Sequence, residues 1–212
     1  MPRFGDKSYS QHGEDFMLLN LTELLDIPKA RWIEFGSNNP EIDSNTKLLY
    51  DRGHRGVNVE ANPNLIQAFY ERRPEDINLN VGVGVNSGIL PFYMVDDHSG
   101  LNSFCKAEIE RINMPITKVL DLPVRTVKDL LDTYCGGIWP EILFTDVEGL
   151  DHDILASCEF TSDNKPHLIC SEIRPWESQR TKDLLISKGY FVYCRMTANL
   201  IFIRNEDKDK VY

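Results

Sequence analysis

Short apolar runs alternate with longer amphipathic segments along the chain, and most of the apolar runs stop at a polar or glycine turn. The first run, Trp32–Phe35, ends at Gly36, and a polar loop then leads to a helical pattern through Leu48–Tyr50. Apolar runs this short are typical of buried strands, whereas apolar spacings of three and four are typical of helices. This repeating order predicts a parallel sheet with right-handed helical crossovers.

The same pattern predicts the later elements. The predicted strands are Gly56–Glu60, Ile77–Val85, Ile89–Val95 at an edge or in a hairpin, Ile116–Val124, Ile142–Val147, His167–Ile173 and a closing antiparallel hairpin of Tyr190–Cys194 and Leu200–Arg204. Three predicted helices have both ends assigned: Tyr9–Leu19 with Ser10 as N-cap, Leu21–Leu25, and Trp176–Lys188. Four more are predicted from their first residues: one capped by Asp43, Ser44 or Asn45, one that begins at Pro63 after Asn62, one capped by Thr126, and one that begins at Glu148–Gly149. We expect a single domain over residues 1–212, with residues 1–29 as an N-terminal helical extension. The turn-rich residues 96–115 are typical of a lid or acceptor-binding loop.

Composition excludes several classes of function. The net charge of −10 argues against nucleic acid as a partner, because phosphate binding needs a basic face. No apolar run is long enough to span a bilayer, and residues 1–10 lack the apolar core of a signal peptide. Five cysteines without a CxxC spacing favour reduced thiols and a cytoplasmic location.

Four predicted strands carry an acid at or near the carboxyl end: Glu34, Glu60, Asp146 and Glu172. Ligands of open parallel sheets bind beyond those ends, so the four acids are expected near one crevice. Asp146 and Glu172 follow neighbouring strands and could face a divalent cation, but no third ligand is evident from the sequence, so we predict no metal.

Glu60 lies 24 residues beyond Gly36, close to the spacing of an acid that holds ribose hydroxyls. The loop after Gly36 lacks G-x-G-x-x-G, which argues against a dinucleotide and an NAD-dependent oxidoreductase. A ligand with a ribose, a positive charge and no phosphate fits better, and S-adenosylmethionine is such a ligand. A buried strand that merely ends at a glycine is the simpler alternative.

Residues 32–50 followed by GVNVEANP at 56–63 resemble the opening of FkbM-type methyltransferases. The runs VRTVKDLL at 124–131 and TDVEGLDHDIL at 145–155 resemble that family's later motifs, in the same order. SQHGED at 10–15 resembles an N-terminal element found in part of the family. The resemblance covers residues 9–175.

The resemblance implies a Rossmann-like class I methyltransferase fold: a seven-stranded, mostly parallel sheet with helices on both faces. It also implies S-adenosylmethionine as methyl donor and a hydroxyl of a small acceptor, a sugar or glycan or a polyketide-type product, as substrate. The implied donor-binding residues are Glu34, Gly36 and Ser37 around the methionine moiety, Glu60, Ala61 and Asn62 around the ribose, Gly82, Val83 and Gly84 beside the adenine, and Asp146 towards the sulfonium. Asn38 and Ser44 are further donor-binding candidates.

A general base would assist transfer to a hydroxyl, and the sequence places two acids near the donor. Glu148, in the turn after the strand, is the predicted base, with Asp146 as its alternative and His98 in the predicted lid as a reserve. Glu148 could instead be a first-turn acid that stabilises a helix dipole. A nucleoside-binding or scaffold protein that lost turnover is the alternative to an enzyme.

Overall fold

The computed structural model describes residues 7–174, 176 and 178–212. The strands are β1 (Arg31–Phe35), β2 (Arg55–Val59), β3 (Ile77–Leu79), β4 (Gly82–Val83), β5 (Gly88–Met94), β6 (Lys118–Arg125), β7 (Ile142–Thr145), β8 (Leu168–Glu172), β9 (Tyr190–Arg195) and β10 (Asn199–Arg204). The helices are α1 (Glu14–Leu24), α2 (Lys47–Asp51), α3 (Pro63–Arg72), α4 (Lys106–Arg111), α5 (Val127–Tyr134), α6 (Asp151–Ser157), α7 (Ser178–Ser187), a 3₁₀ turn at Asn205–Asp207 and α8 (Lys208–Val211).

The main sheet has seven strands in the order β3-β2-β1-β7-β8-β10-β9. Within this sheet, β3, β2, β1, β7 and β8 run parallel, and β10 is antiparallel to both β8 and β9. The order reverses between β1 and β7, which is the topological switch point where ligands of such sheets bind. The seven-stranded, mostly parallel sheet with a C-terminal antiparallel hairpin is confirmed.

Alternate residues of the central strands pack on opposite faces of this sheet, as the two-residue repeat of a strand requires. Ile33 and Phe35 belong to one core, together with residues of α5, α6 and α7. Trp32 belongs to the other core, which α1 and α2 cover with Leu18 and Leu49. Helices therefore cover both faces, and the sheet is buried between them.

The predicted strand Ile77–Val85 is wrong as a single strand. β3 ends at Leu79, and the chain then leaves the main sheet to form β4, which pairs with β6 in a small sheet of order β4-β6-β5. The Asn80 amide donates to the carbonyl oxygens of Glu60 and Ala61, both at 2.9 Å. These bonds from a side-chain amide to backbone carbonyls take the place of a continued ladder with β2.

The predicted start of the first helix is also wrong. α1 is one helix that begins at Glu14, and its N-cap is Gly13 with φ +88°, not Ser10. The Ser10 hydroxyl instead donates to the Asp15 carboxylate at 2.9 Å. The turn before α1 is therefore organised around an acid inside the helix.

Two further helices begin later than predicted. The N-cap of α2 is Thr46, although the Ser44 hydroxyl accepts from the backbone N–H of Lys47 at 3.2 Å. α6 begins at Asp151 and not at 148–149, where φ is positive. The predicted helix from Trp176 falls partly outside the described residues, and α7 begins at Ser178.

The predicted caps of α3 and α5 are confirmed. Asn62 accepts from the N–H of Asn64 at 3.0 Å, with Pro63 as the first helical residue. The Thr126 hydroxyl accepts from the N–H of Asp129 at 3.1 Å. Across the described residues, none of the helices combines the length and the apolarity that a membrane crossing needs.

Candidate functional site

A cavity of about 310 Å³, called here the main cavity, lies beyond the carboxyl ends of β1, β2 and β7. A side cavity of about 40 Å³ adjoins it and reaches down towards Glu34 and Cys170. The two share five lining residues: Gln11, Gly36, Asn38, Asp43 and Asp146. The main cavity falls at the lower end of the size range of small-molecule sites.

The structure brings most of the sequence-predicted residues to these cavities. The main cavity is lined by Gly36, Asn38, Glu60, Ala61, Gly82, Val83, Asp146 and Glu148. The side cavity adds Glu34 and Ser37. Residues separated by more than a hundred positions in sequence therefore border one continuous space.

Four of the predicted site residues line neither cavity: Ser44, Asn62, Gly84 and His98. Ser44 is buried beneath the start of α2, and Asn62 is the N-cap of α3. His98 is exposed, and its backbone N–H donates to the Asp96 carboxylate at 2.9 Å.

Glu60 follows β2 and is almost fully buried. One carboxylate oxygen accepts from the backbone N–H of Asn38 at 2.8 Å, and the other accepts from the N–H of Asn62 at 2.7 Å. Burial raises the pKa of Glu60 to about 7, although both hydrogen bonds oppose that rise. The carboxylate thus fixes the loop after β1 to the start of α3, and each oxygen keeps a further lone pair for a ligand.

Glu34 is the acid at the side cavity, and it belongs to a buried network. The Thr46 hydroxyl donates to Glu34 at 2.9 Å and accepts from the Arg73 guanidinium at 3.1 Å. Arg73 is fully buried and also donates to the Asp76 carboxylate at 2.9 Å. Burial raises the pKa of Glu34 to about 8, against the lowering effects of Arg73 and Thr46. Sequence reasoning missed Arg73, because nothing in its local pattern distinguishes it from the neighbouring Arg72.

Three acids converge at the ends of β7 and β8: Asp146, Glu148 and Glu172, called here the acidic cluster. One oxygen from each lies within 4.8 Å of the others. The sequence had shown two possible metal ligands here, and the structure adds Glu148 as a third carboxylate. Oxygen donors in this number suit a hard divalent cation.

A positively charged side chain of the protein, Arg174, contacts the acidic cluster. The Arg174 guanidinium donates to Glu148 and lies 3.1 Å from a Glu172 oxygen. Burial, and after it the neighbouring Asp146 carboxylate, raises the pKa of Glu148 to about 8 and that of Glu172 to about 10. Burial also raises the pKa of Asp146.

Negative charge at this point exceeds what Arg174 compensates. Four buried side-chain atoms of the described residues have no hydrogen-bond partner, and all four lie here: Glu108 Oε1, Asp146 Oδ1, Glu172 Oε2 and Arg174 Nε. Glu108 comes from α4, with its Oε1 3.6 Å from Arg174. Buried charged atoms without a well-directed hydrogen bond are costly, even where an ion-pair contact such as that between Arg174 Nε and Glu172 Oε2 remains, so this cluster suits bound protons or a cationic ligand.

Glu148 occupies a strained turn and not a helix. Its φ is +56° and that of Gly149 is +95°, and α6 starts only at Asp151. The Ser103 hydroxyl donates to the Glu148 carbonyl at 2.7 Å, which ties this turn to the segment 99–104 that lines the main cavity. The alternative role as a first-turn helix acid is therefore wrong. Left-handed backbone at a non-glycine residue is a feature that clusters at functional sites.

Several lining residues were not singled out as site residues from the sequence: Gln11, Asp43, Leu65, Val81 and Phe92. Residues 99–104 also line the cavity and fall within the segment 96–115 that was predicted as a lid or acceptor-binding loop. The turn composition of residues 96–115 was the only signal for the last group. Gln11 lies in the SQHGED element, and the resemblance of that element to part of the family did not indicate where it would lie in the fold. Phe92 comes from the small sheet, so only the tertiary structure could bring it here.

The chain matches a family model described as the methyltransferase FkbM domain over residues 34–196. No curated protein matches it. Among solved structures it is similar to a TehB-like SAM-dependent methyltransferase from Corynebacterium glutamicum, with a TM-score of 0.47 and 10% identity over 95% of this chain and 90% of that one. It is also similar to a precorrin-6y C5,15-methyltransferase from Geobacter metallireducens, with a TM-score of 0.37 and 11% identity over 86% and 83% of the two chains. Because the family model spans more than half of its length, the chain belongs to the FkbM family and is an S-adenosylmethionine-dependent methyltransferase.

Proposed function

We propose that the main cavity binds S-adenosylmethionine and that the protein transfers its methyl group to a hydroxyl of a small acceptor, a sugar, glycan or polyketide-type product. The observation that carries this proposal is the combination of chemistry that lines one cavity. The carboxylate of Glu60, the apolar side chains of Leu65 and Val81, and the acids Asp146 and Glu148 all border the same space.

That combination fits the donor. Leu65, Val81 and Phe92 offer apolar surface for the adenine, and Glu60 offers carboxylate lone pairs to the ribose hydroxyls. The excess negative charge at Asp146 favours the sulfonium and ammonium groups. The donor, when bound, supplies a methyl group activated for displacement by a nucleophile.

The chain's own residues then position and deprotonate the acceptor. The segment 99–104 borders the cavity and would hold the acceptor against the donor. Alignment of the reacting atoms is worth up to roughly 7–11 kcal/mol of the barrier. Glu148 would accept the hydroxyl proton on its carboxylate. Its pKa of about 8 suits that task, because a base is most effective near the working pH.

We further propose that the reaction needs no metal. A divalent cation would have to displace Arg174 from both Glu148 and Glu172. The guanidinium already carries part of the compensating charge, and it holds the Glu148 carboxylate in place.

The experiment is a two-stage assay on the purified chain. Calorimetry with S-adenosylmethionine tests donor binding, and a panel of sugars, glycans, polyketide-type hydroxyl compounds and amine acceptors is then tested for release of S-adenosylhomocysteine. Donor binding with turnover on a hydroxylated acceptor supports the proposal. Donor binding without product on any acceptor favours the scaffold alternative, and turnover on amine acceptors alone would contradict O-methylation.

A further inference from the structure

The segment 8–13, which precedes α1, contributes one residue, Gln11, to the wall of the proposed donor site. Gln11 lines both the main cavity and the side cavity, beside Gly36, Asn38 and Asp146. Its side chain is exposed, and its carboxamide has no hydrogen-bond partner among the described residues. The turn that precedes α1 thus borders the same space as the ends of β1 and β7.

Asp15 holds this segment in a fixed turn. It is fully buried, and its carboxylate accepts from the Ser8 hydroxyl at 2.8 Å, the Tyr9 N–H at 2.7 Å and the Ser10 hydroxyl at 2.9 Å. The Ser10 hydroxyl in turn accepts from the N–H of Gly13 at 3.1 Å. These bonds close a tight loop with Gln11 at its tip.

Glu14 and Tyr9 fasten the same loop to the walls of the site. The fully buried Glu14 accepts from the backbone N–H of His12 at 2.9 Å and from the Asn199 amide at 3.0 Å. Asn199 itself lines the side cavity. The Tyr9 carbonyl accepts from the N–H of Ser44 at 3.0 Å, in the loop between β1 and α2.

Two fully buried acids are therefore used to hold one exposed glutamine at the place where the two cavities meet. The lining around it is amphoteric, because it contains both acids and amides: Glu34, Asn38, Asp43, Asn45, Asp146 and Asn199. Such a lining suits a zwitterion, whose ammonium faces carboxylates and whose carboxylate faces amide N–H groups.

We propose that Gln11 binds the α-amino-acid end of the donor and so completes the methionine subsite from the N-terminal segment. The inference rests on the proposed donor site and goes beyond it, since it assigns a role to the SQHGED element. The Gln11 amide would donate to the donor carboxylate, and Asp15 and Glu14 would act as positioning residues.

The test compares two ligands that differ only at that end. S-adenosylhomocysteine carries the amino-acid group, and 5′-methylthioadenosine has a methyl group in its place. In calorimetry, Gln11→Ala is expected to weaken S-adenosylhomocysteine binding about 10- to 100-fold, the loss typical of a hydrogen bond to a charged group, and to leave 5′-methylthioadenosine binding unchanged. Glu60→Gln is expected to weaken both ligands, because the ribose is common to them.

Gln179→Ala is the matched control, since Gln179 is an exposed glutamine on α7 that lines neither cavity. Equal losses for both ligands in Gln11→Ala, or no loss for either, would overturn the inference while leaving the donor site intact. Failure of the unaltered protein to bind either ligand would overturn the proposed function and this inference with it. The thermal midpoint of each variant separates lost contact from lost fold.

Discussion

The backbone of Gly36 passes so close to Asp146 that a Cβ atom at position 36 would lie 1.7 Å from the Asp146 carbonyl oxygen. The two residues end the central strands β1 and β7, and the N–H of Asp146 donates to the carbonyl of Phe35 at 2.9 Å. Gly36 also has φ +79°, a left-handed conformation that favours glycine. Gly36 and Asp146 both line the main cavity and the side cavity.

Gly36→Ala is expected to destabilise the protein by several kcal/mol and to impair donor binding, since the two strand ends must separate. Gly53→Ala is the matched control. Gly53 has φ +86°, but a Cβ there meets nothing within 4 Å, so this variant incurs only the backbone cost of about 1–2 kcal/mol. Chemical denaturation of both variants measures the difference. Equal losses would show that the contact with Asp146 is unimportant.

Glu60→Gln is expected to weaken S-adenosylmethionine binding about 10- to 100-fold. The NH2 group that replaces one carboxylate oxygen cannot accept, so the N–H of Asn38 or that of Asn62 loses its acceptor, and charge-assisted bonds to the ribose are lost as well. Calorimetry measures the affinity, with Glu71→Gln on the exposed face of α3 as control. Unchanged affinity in Glu60→Gln would remove this residue from the donor site.

Glu148→Gln is expected to lower turnover about 10²- to 10⁴-fold while donor affinity stays within a few fold. In the unaltered enzyme, turnover should rise with pH up to about 8 as the Glu148 carboxylate forms. The turnover of the variant should not show this rise with pH. Steady-state kinetics across pH, together with calorimetry, measure both effects.

His98→Ala tests the reserve base against Glu148. Because His98 lines neither cavity, its removal should leave turnover near normal. A large loss in His98→Ala combined with near-normal turnover in Glu148→Gln would reverse the assignment.

The stability of the ligand-free protein should fall as pH rises between about 5 and 8. The Glu34 carboxyl ionises at its ordinary pKa of 4.5 in the unfolded chain but at about 8 in the folded one, so the folded state binds the extra proton in this window. Glu34→Gln should flatten the decline, whereas Glu159→Gln on the surface should leave it unchanged. Denaturation at pH 5, 6.5 and 8 measures the three slopes. Parallel slopes for all three proteins would contradict a buried, protonated Glu34.

Removal of divalent metal should leave turnover unchanged, because Arg174 supplies the cation at the acidic cluster. The measurement is turnover before and after extensive treatment with a chelator. Activity that is lost and then restored by magnesium would show that Asp146, Glu148 and Glu172 hold an ion.

Local chemistry made much of the fold predictable from the sequence. The apolar run Trp32–Phe35 identifies a strand buried on both faces, and the side chains of Asn62 and Thr126 cap the helices that follow them because their partners lie two or three residues away. The acids Glu34 and Glu60 could be assigned to one crevice, since the carboxyl ends of parallel strands meet at one edge of the sheet.

Contacts between distant segments decided the rest. Arg73 reaches Thr46, Glu14 reaches Asn199, and Ser103 reaches Glu148, and no periodicity or spacing in the chain relates the members of these pairs. The sequence by itself determined the sheet, its helices and the acids at the strand ends, because those follow from hydrogen bonds and burial within short segments. Only the tertiary structure decided which loops close over those acids, because loop positions depend on long-range packing that neighbouring residues do not encode.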